Sequence, residues 1–334
     1  GIAHFDKLAP RIGIEGDAVE PFSMLSYDDN AERQQKRAAN TIRKRYHVNT
    51  VPLPERPVAR PEKIKIGYFS ADFHDHATLI LMIGLLEHHD REKFEIHAYS
   101  YGTVKQGVKR DRLHKLVDSF VDISVASDPQ IVAAVRQQKI DIAVDLKGFT
   151  RQGRSGLFAY RLAPIQISYL GYPGTLGADF MDYIVADKVV IPEHLRRFYT
   201  EKVIYLPDSY QPNDRNRIIP ETTKTRSELG LPEKGFVFCS FNSNYKITPR
   251  EFDIWMRLLA KYDGSVLWLL RANEGVQENL LREVEARGIA RERIVFAERL
   301  KEPEHLARHK HADLFLDTFN VNAHTTASDA LWAG

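Results

Sequence analysis

Short apolar runs alternate with amphipathic stretches along most of the chain. From Lys63 onward the pattern predicts strands at 63–69, 93–100, 140–146, 165–170 and 182–186, separated by helices over 77–89, 105–117 and 129–138. Such alternation builds a largely parallel sheet covered on both faces. The rhythm breaks over 207–232, where Pro207, Pro212, Pro220 and Pro232 stand among few apolar residues. It resumes with strands at 236–241, 265–270, 293–296 and 313–317 and helices at 249–261, 276–287, 303–310 and 325–333. The layout is therefore a leading segment 1–61, a first domain 62–206, an interdomain connection 207–232 and a second domain 233–334.

The leading segment holds a capped, very polar helix over 28–46, which by itself buries little and is expected to lean on something else. Val51-Pro52-Leu53-Pro54-Glu55-Arg56-Pro57, with Pro61, then reads as an extended linker, because each proline biases its predecessor away from helix. Gly1-Ile2-Ala3-His4 has neither an initiator Met nor a signal pattern and reads as a cut. At the other end four strand-helix units have passed when Gly334 is reached, fewer than a doubly wound domain usually carries, so the second domain is expected to be incomplete.

Composition narrows the class. A chain of 334 residues that is 43% hydrophobic, 28% charged and 10% aromatic is globular, and no stretch has membrane-spanning length. Lys and Arg total 47 against 45 acidic residues, so the net charge of +2 creates no general field for nucleic acid or an anionic membrane. Any anion must be met locally. The single Cys239 lies in the apolar run Phe236-Val237-Phe238-Cys239, which suits a buried strand thiol and a reducing cytoplasm.

In open α/β sheets ligands bind beyond the carboxyl ends of the strands, so the loops there carry the candidate chemistry. After the first strand comes Ser70-Ala71-Asp72-Phe73-His74-Asp75-His76, where His76 is placed to act as a base or hydrogen-bond donor, or to cap the next helix or satisfy buried backbone, which its position alone slightly favours. Leu170-Gly171-Tyr172-Pro173-Gly174-Thr175-Leu176-Gly177 sets three glycines around a Tyr-Pro pair, which lets backbone approach a ligand closely or simply turns the chain. Phe241-Asn242-Ser243-Asn244-Tyr245-Lys246 precedes a helix beginning near Pro249, so a lysine ammonium stands beside a helix N-terminus, an arrangement suited to phosphate. Asp317-Thr318-Phe319-Asn320-Val321-Asn322-Ala323-His324-Thr325-Thr326 opens the last helix, with Asp329 one turn in as a candidate acceptor for a ribose hydroxyl; Thr325 or Thr326 also serves as a plain N-cap. Two such helix starts with Lys246 would cradle a diphosphate without a metal, and no Asp-x-Asp pair of the kind that holds a divalent ion is present. No Gly-x-Gly-x-x-Gly or Walker loop occurs, which argues against dehydrogenases and ATPases.

From about Pro21 to the end the chain resembles the catalytic region of glycosyltransferase family 41, the O-linked N-acetylglucosamine transferases, in their bacterial form. The resemblance is carried by Gly67-Tyr68-Phe69-Ser70-Ala71-Asp72-Phe73 with His76, Ala163-Pro164-Ile165-Gln166 running into Leu170-Gly171-Tyr172-Pro173-Gly174-Thr175, Phe241-Asn242 to Tyr245-Lys246-Ile247, and His324-Thr325-Thr326 with Asp329-Ala330-Leu331-Trp332-Ala333-Gly334. It implies a GT-B fold, two Rossmann-like doubly wound domains facing a cleft, with UDP-N-acetylglucosamine on the second. It implies that Lys246 contacts the diphosphate beside Asn242 and Tyr245, that His324, Thr325 and Thr326 hold the phosphates, that Asp329 binds ribose and that His305 lies beside uracil. In the first domain His76 matches a cleft histidine proposed as base, and Gly171 and Pro173 fall near the sugar. The chain departs from the family pattern at Ser243, commonly Asn or Gln, at Leu79 and Ile80, commonly Ser-His, and at Glu302, in some members a lysine near the uridine.

The resemblance implies inverting, metal-independent transfer of N-acetylglucosamine from UDP-GlcNAc to Ser and Thr hydroxyls of proteins, with no cofactor beyond the donor and with tetratricopeptide repeats ahead of the region in a full-length cytoplasmic protein. The rival readings are a non-catalytic nucleotide-sugar-binding or scaffolding module, which has no need of a shaped acceptor side, and a GT-B-like sugar epimerase, which needs no acceptor. Turnover by residues 1–334 alone is expected to be small.

Overall fold

The computed structural model describes residues 8–46, 52, 59, 61–103, 106–221 and 224–334. Gly1 to His4, most of the expected linker (51, 53–58 and 60) and Lys105, the first residue of one expected helix, lie outside them. The chain divides into two compact units, Gly1–Arg215 and Asn216–Gly334.

In the first unit the described strands are β1 Ile64–Ser70, β2 Phe94–Ser100, β3 Ser119–Asp122, β4 Ile142–Asp145, β5 Ile165–Ser168, β6 Tyr183–Ala186 and β7 Lys202–Tyr205. They pair in parallel, in the order β3-β2-β1-β4-β5-β6-β7. The helices are α1 Pro21–Met24, α2 Ala31–Arg45, α3 Ala77–Glu87, α4 Val108–Leu116 and α5 Asp128–Gln137. Alternation along β1 supplies both faces of the sheet: Ile66 and Tyr68 pack with Leu79, Met82, Ile83 and Leu86 of α3, whereas Phe69 packs with Ile131 and Val135 of α5. Two strands escaped the sequence pattern. Both β3 and β7 are four residues long and occupy the two outer edges, where half-exposed positions leave no hydrophobic period to read.

The polar helix α2 leans on this unit. Ala38 and Ile42 enter the same core as Phe149, Leu157 and Leu176, and the fully buried Arg37 pairs with Asp28 at 2.7 Å while donating to the Ile12 carbonyl. Gly177, at φ +63, lets the chain pass directly against α2, since a Cβ there would lie 2.5 Å from the Ala39 nitrogen.

In the second unit β8 Val237–Ser240, β9 Val266–Leu270, β10 Ile294–Ala297 and β11 Leu314–Phe315 form a parallel sheet in the order β10-β9-β8-β11. Its helices are α6 Pro249–Lys261, α7 Glu274–Glu285, α8 Glu302–Ala307 and α9 Thr325–Ala333. Phe252, Trp255, Met256 and Leu259 of α6 fill one face, and Cys239, Phe241 and Trp268 lie in the cluster on the other. Cys239 is a buried thiol that burial pushes up to about 12. The winding reverses after β10, because β11 returns to the far side of β8. The loops that leave β8 and β11 are therefore neighbours, as are those that leave β1 and β4 in the first unit.

Candidate functional site

The second unit gathers most of the candidate residues at its switch point. Just past β8, the buried Asn242 donates through Nδ2 to Asp317 Oδ1 at 3.2 Å and Thr318 Oγ1 at 3.1 Å, both beyond β11. Its Oδ1 accepts from the Thr326 hydroxyl in the first turn of α9. One amide thus fixes two strand exits and a helix start. Lys246 ends a short 3-10 turn, Asn244–Lys246, and donates to the Asn322 carbonyl at 2.8 Å, so its ammonium stands beside the segment that enters α9. Burial lowers the Lys246 pKa, opposed by Asp317.

His324 is the N-cap of α9 and carries φ +51, a conformation that a side chain adopts only under strain of order 1–3 kcal/mol. Burial, reinforced by the nearby Lys246, brings its imidazole down to about 4, so the ring is neutral at neutral pH. Thr325, partly buried, begins the helix proper, and Tyr245 stands half exposed in the 3-10 turn.

Asp329, one turn into α9, is buried and held from two sides. Its Oδ1 accepts from Arg217 Nη2, and its Oδ2 lies 3.5 Å from His305 Nε2. Burial raises the carboxyl, but the bonds from His305 and Arg217 outweigh it, so the group lies below the ordinary carboxylate range. Arg308, which can only donate, meets His305 Nδ1. The proton of a neutral His305 therefore sits on Nε2, toward Asp329. His305 also packs edge-on against Phe241 at 5.4 Å.

In the first unit the loops after β1, β4 and β5 meet. His76 is the N-cap of α3, the Thr78 amide donating to its Nδ1 at 3.2 Å, so the capping role is realised. The same Nδ1 lies 3.3 Å from Asp72 Oδ2, and Lys147 of the β4 exit donates to that oxygen from a buried position. Gly171 also has a packing role within the unit. A Cβ there would lie 2.0 Å from the Leu146 carbonyl oxygen, so this glycine permits the close approach of the chain's own β4 exit. Pro173 follows the buried Tyr172, whose ring meets Phe149 edge-on.

Sequence reasoning passed over Arg217, Arg308, Asp72 and Lys147 as site residues. Arg217 stands in the proline-rich connection, where no pattern marks it, and meets Asp329 across 112 positions.

A model of glycosyl transferase family 41 matches residues 22–224 and 218–334. The chain belongs to glycosyltransferase family 41. Among its relatives, a protein of Arabidopsis thaliana named probable UDP-N-acetylglucosamine–peptide N-acetylglucosaminyltransferase SEC is 35% identical over 332 residues, covering 95% of this chain and 34% of that protein. A UDP-N-acetylglucosamine–peptide N-acetylglucosaminyltransferase of Caenorhabditis elegans is 27% identical over 390 residues, covering 83% of this chain and 34% of that protein. A solved structure of a mutant O-GlcNAc transferase from Thermobaculum terrenum matches with a TM-score of 0.84 at 28% identity, covering 99% of this chain and 63% of that one. The family 41 chain thus spans about a third of the length of these two relatives. Its paired parallel α/β units are of the GT-B class. Among the described residues no helix is long and apolar enough to cross a membrane.

Proposed function

We propose that the chain transfers N-acetylglucosamine from UDP-GlcNAc to Ser and Thr hydroxyls of protein or peptide acceptors, with inversion at the anomeric carbon and without a metal. The observation that carries this reading is the convergence of Lys246, which donates to the Asn322 carbonyl just ahead of α9, and the His324-Thr325-Thr326 helix start, whose Thr326 hydroxyl donates to Asn242. As the bond to UDP breaks, the leaving diphosphate gains charge, and preorganised donors around it act on the transition state more than on the ground state. An ammonium and the first amides of α9 are donors of that kind.

In this reading Asp329 keeps unused lone pairs for a ribose hydroxyl despite its two partners. His305 lies beside the uracil, Tyr245 borders the phosphates, and His76, Gly171 and Pro173 serve the sugar and acceptor. Tetratricopeptide repeats ahead of this region and a cytoplasmic location belong to the same proposal, the latter resting on the lone buried Cys239.

The test is mass-spectrometric detection of HexNAc on a panel of Ser- and Thr-containing peptides with UDP-GlcNAc, in the presence and absence of EDTA. Modified peptide at equal rates in both is expected. UDP binding with no modified peptide would turn the reading to a binding module, and loss of transfer with EDTA would remove the metal-free mechanism.

A further inference from the structure

The imidazole of His76 faces two demands at one atom. Its Nδ1 accepts from the Thr78 amide at 3.2 Å, which requires a lone pair there. The same Nδ1 lies 3.3 Å from Asp72 Oδ2, which is stabilised by a proton there. A neutral ring cannot meet both. If the proton is on Nε2, the cap is satisfied, but a lone pair faces a carboxylate oxygen. If it is on Nδ1, Asp72 is satisfied and the first-turn amide of α3 loses its acceptor.

Lys147 decides between them. Its Nζ donates to that same Oδ2, and the Thr78 hydroxyl lies 3.3 Å from it, so the oxygen facing His76 is already supplied with donors and its charge is offset. The Asp72 and Lys147 side chains are only 7% and 5% exposed, so solvent screens this pair little. Two further described groups lie near the ring. The His74 ring lies 5.6 Å away, and the Asp75 carboxylate receives the Lys109 amide of α4 at 3.2 Å. The N-terminal end of α3 adds a positive potential that disfavours the imidazolium.

We propose that Lys147, acting through Asp72, holds His76 in the neutral tautomer with its proton on Nε2, so that His76 meets the reacting groups as a hydrogen-bond donor and not as a base. Lys147 and Asp72 are then positioning residues. Without the lysine charge, Asp72 draws the proton to Nδ1, Nε2 becomes basic and the imidazolium gains a carboxylate partner. The inference rests on the reading of His76 as an acceptor-side residue.

The experiment is a long-range nitrogen–proton correlation spectrum of the histidine-labelled chain at about pH 8, above the ordinary imidazole range. His76 is assigned by its loss in H76Q. A protonated Nε2 and a bare Nδ1 are expected, and the opposite pattern overturns the proposal. In K147M the proton is expected on Nδ1 and the titration midpoint of His76 to rise by about one pH unit or more. K147R, which keeps the charge, retains the parent tautomer. Should K147M fail to fold, D72N takes its place: with the carboxylate gone the proton stays on Nε2, and a D72N ring protonated at Nδ1 contradicts the proposal. The spectrum reads the tautomer whether or not sugar moves, so a chain inert toward peptides defeats the functional reading alone.

Discussion

Arg217 holds Asp329: its Nη2 donates to the Asp329 carboxylate, and its Nε donates to Glu302 at 2.9 Å, with the arginine side chain only 2% exposed. Removing one partner of a buried pair leaves the other charge unpaired, which costs about 3–5 kcal/mol. Arg217→Met is therefore expected to destabilise the second unit by that amount and to weaken UDP binding, because Asp329 and His305 lose their anchor. Adding Asp329→Asn to Arg217→Met is expected to return much of the stability, since the stranded charge is gone. All three tryptophans, Trp255, Trp268 and Trp332, lie in the second unit, so urea unfolding followed by tryptophan fluorescence reads that unit alone. A loss below about 1 kcal/mol in Arg217→Met, the level of an exposed ion pair, would show that the pair is solvated.

Lys246 is expected to matter more for rate than for folding. Its ammonium meets a carbonyl, that of Asn322, and among the described residues no carboxylate is hydrogen-bonded to it, so its loss breaks no direct ion pair. Lys246→Ala should reduce sugar transfer roughly a hundredfold or more, about 3 kcal/mol, as loss of one oxyanion-type donor does. Its urea midpoint should stay near that of the parent. Transfer by Lys246→Ala at the parental rate would remove the lysine from the mechanism.

What could be read from the sequence follows the range of the interactions. Helix α6 was legible to the residue because Thr248, Pro249 and Glu251 form a local capping box ahead of a strongly amphipathic stretch. The start of α9 was legible for the same local reason, hydroxyl residues opening a short apolar helix. The pairs that arrange the site are not local. Lys147 meets Asp72 across 75 positions and Asn242 meets Thr326 across 84, and nothing in either segment announces its partner. Gly171 illustrates the same limit: nothing in its own segment announces that a Cβ there would meet the Leu146 carbonyl oxygen.

Gly177 tests the attachment of α2. An alanine there meets both the φ of +63 and the Ala39 nitrogen at 2.5 Å, and backbone cannot give way as a flexible side chain can. The left-handed conformation costs about 1–2 kcal/mol and the overlap about 1–3 more. Gly16→Ala is the control, since Gly16 has a similar φ of +73 with nothing within 4 Å of its Cβ. Gly177→Ala should lower the melting temperature clearly more than Gly16→Ala and make α2 more sensitive to limited proteolysis. Equal melting temperatures for the two variants would mean that the contact with α2 is loose.

The buried His309 and the partly buried His324 give the second unit a defined response to acid. Burial holds both His309 and His324 down to about 4, whereas an unfolded histidine titrates near 6.5. Between those values the unfolded chain binds protons that the folded chain refuses, so stability falls as pH drops from about 6.5 to about 4. The Asp329 carboxyl, held below its ordinary value, adds a further loss beneath that window. The urea midpoint read by tryptophan fluorescence should therefore decline steadily between about pH 7 and pH 4.5. His309→Gln removes one of the two titrations from a residue whose ring nitrogen already bonds the His305 carbonyl. That variant should show a visibly shallower decline, even where its stability at neutral pH is lower. A parent midpoint that stays flat across this range would mean that neither ring is kept neutral by burial.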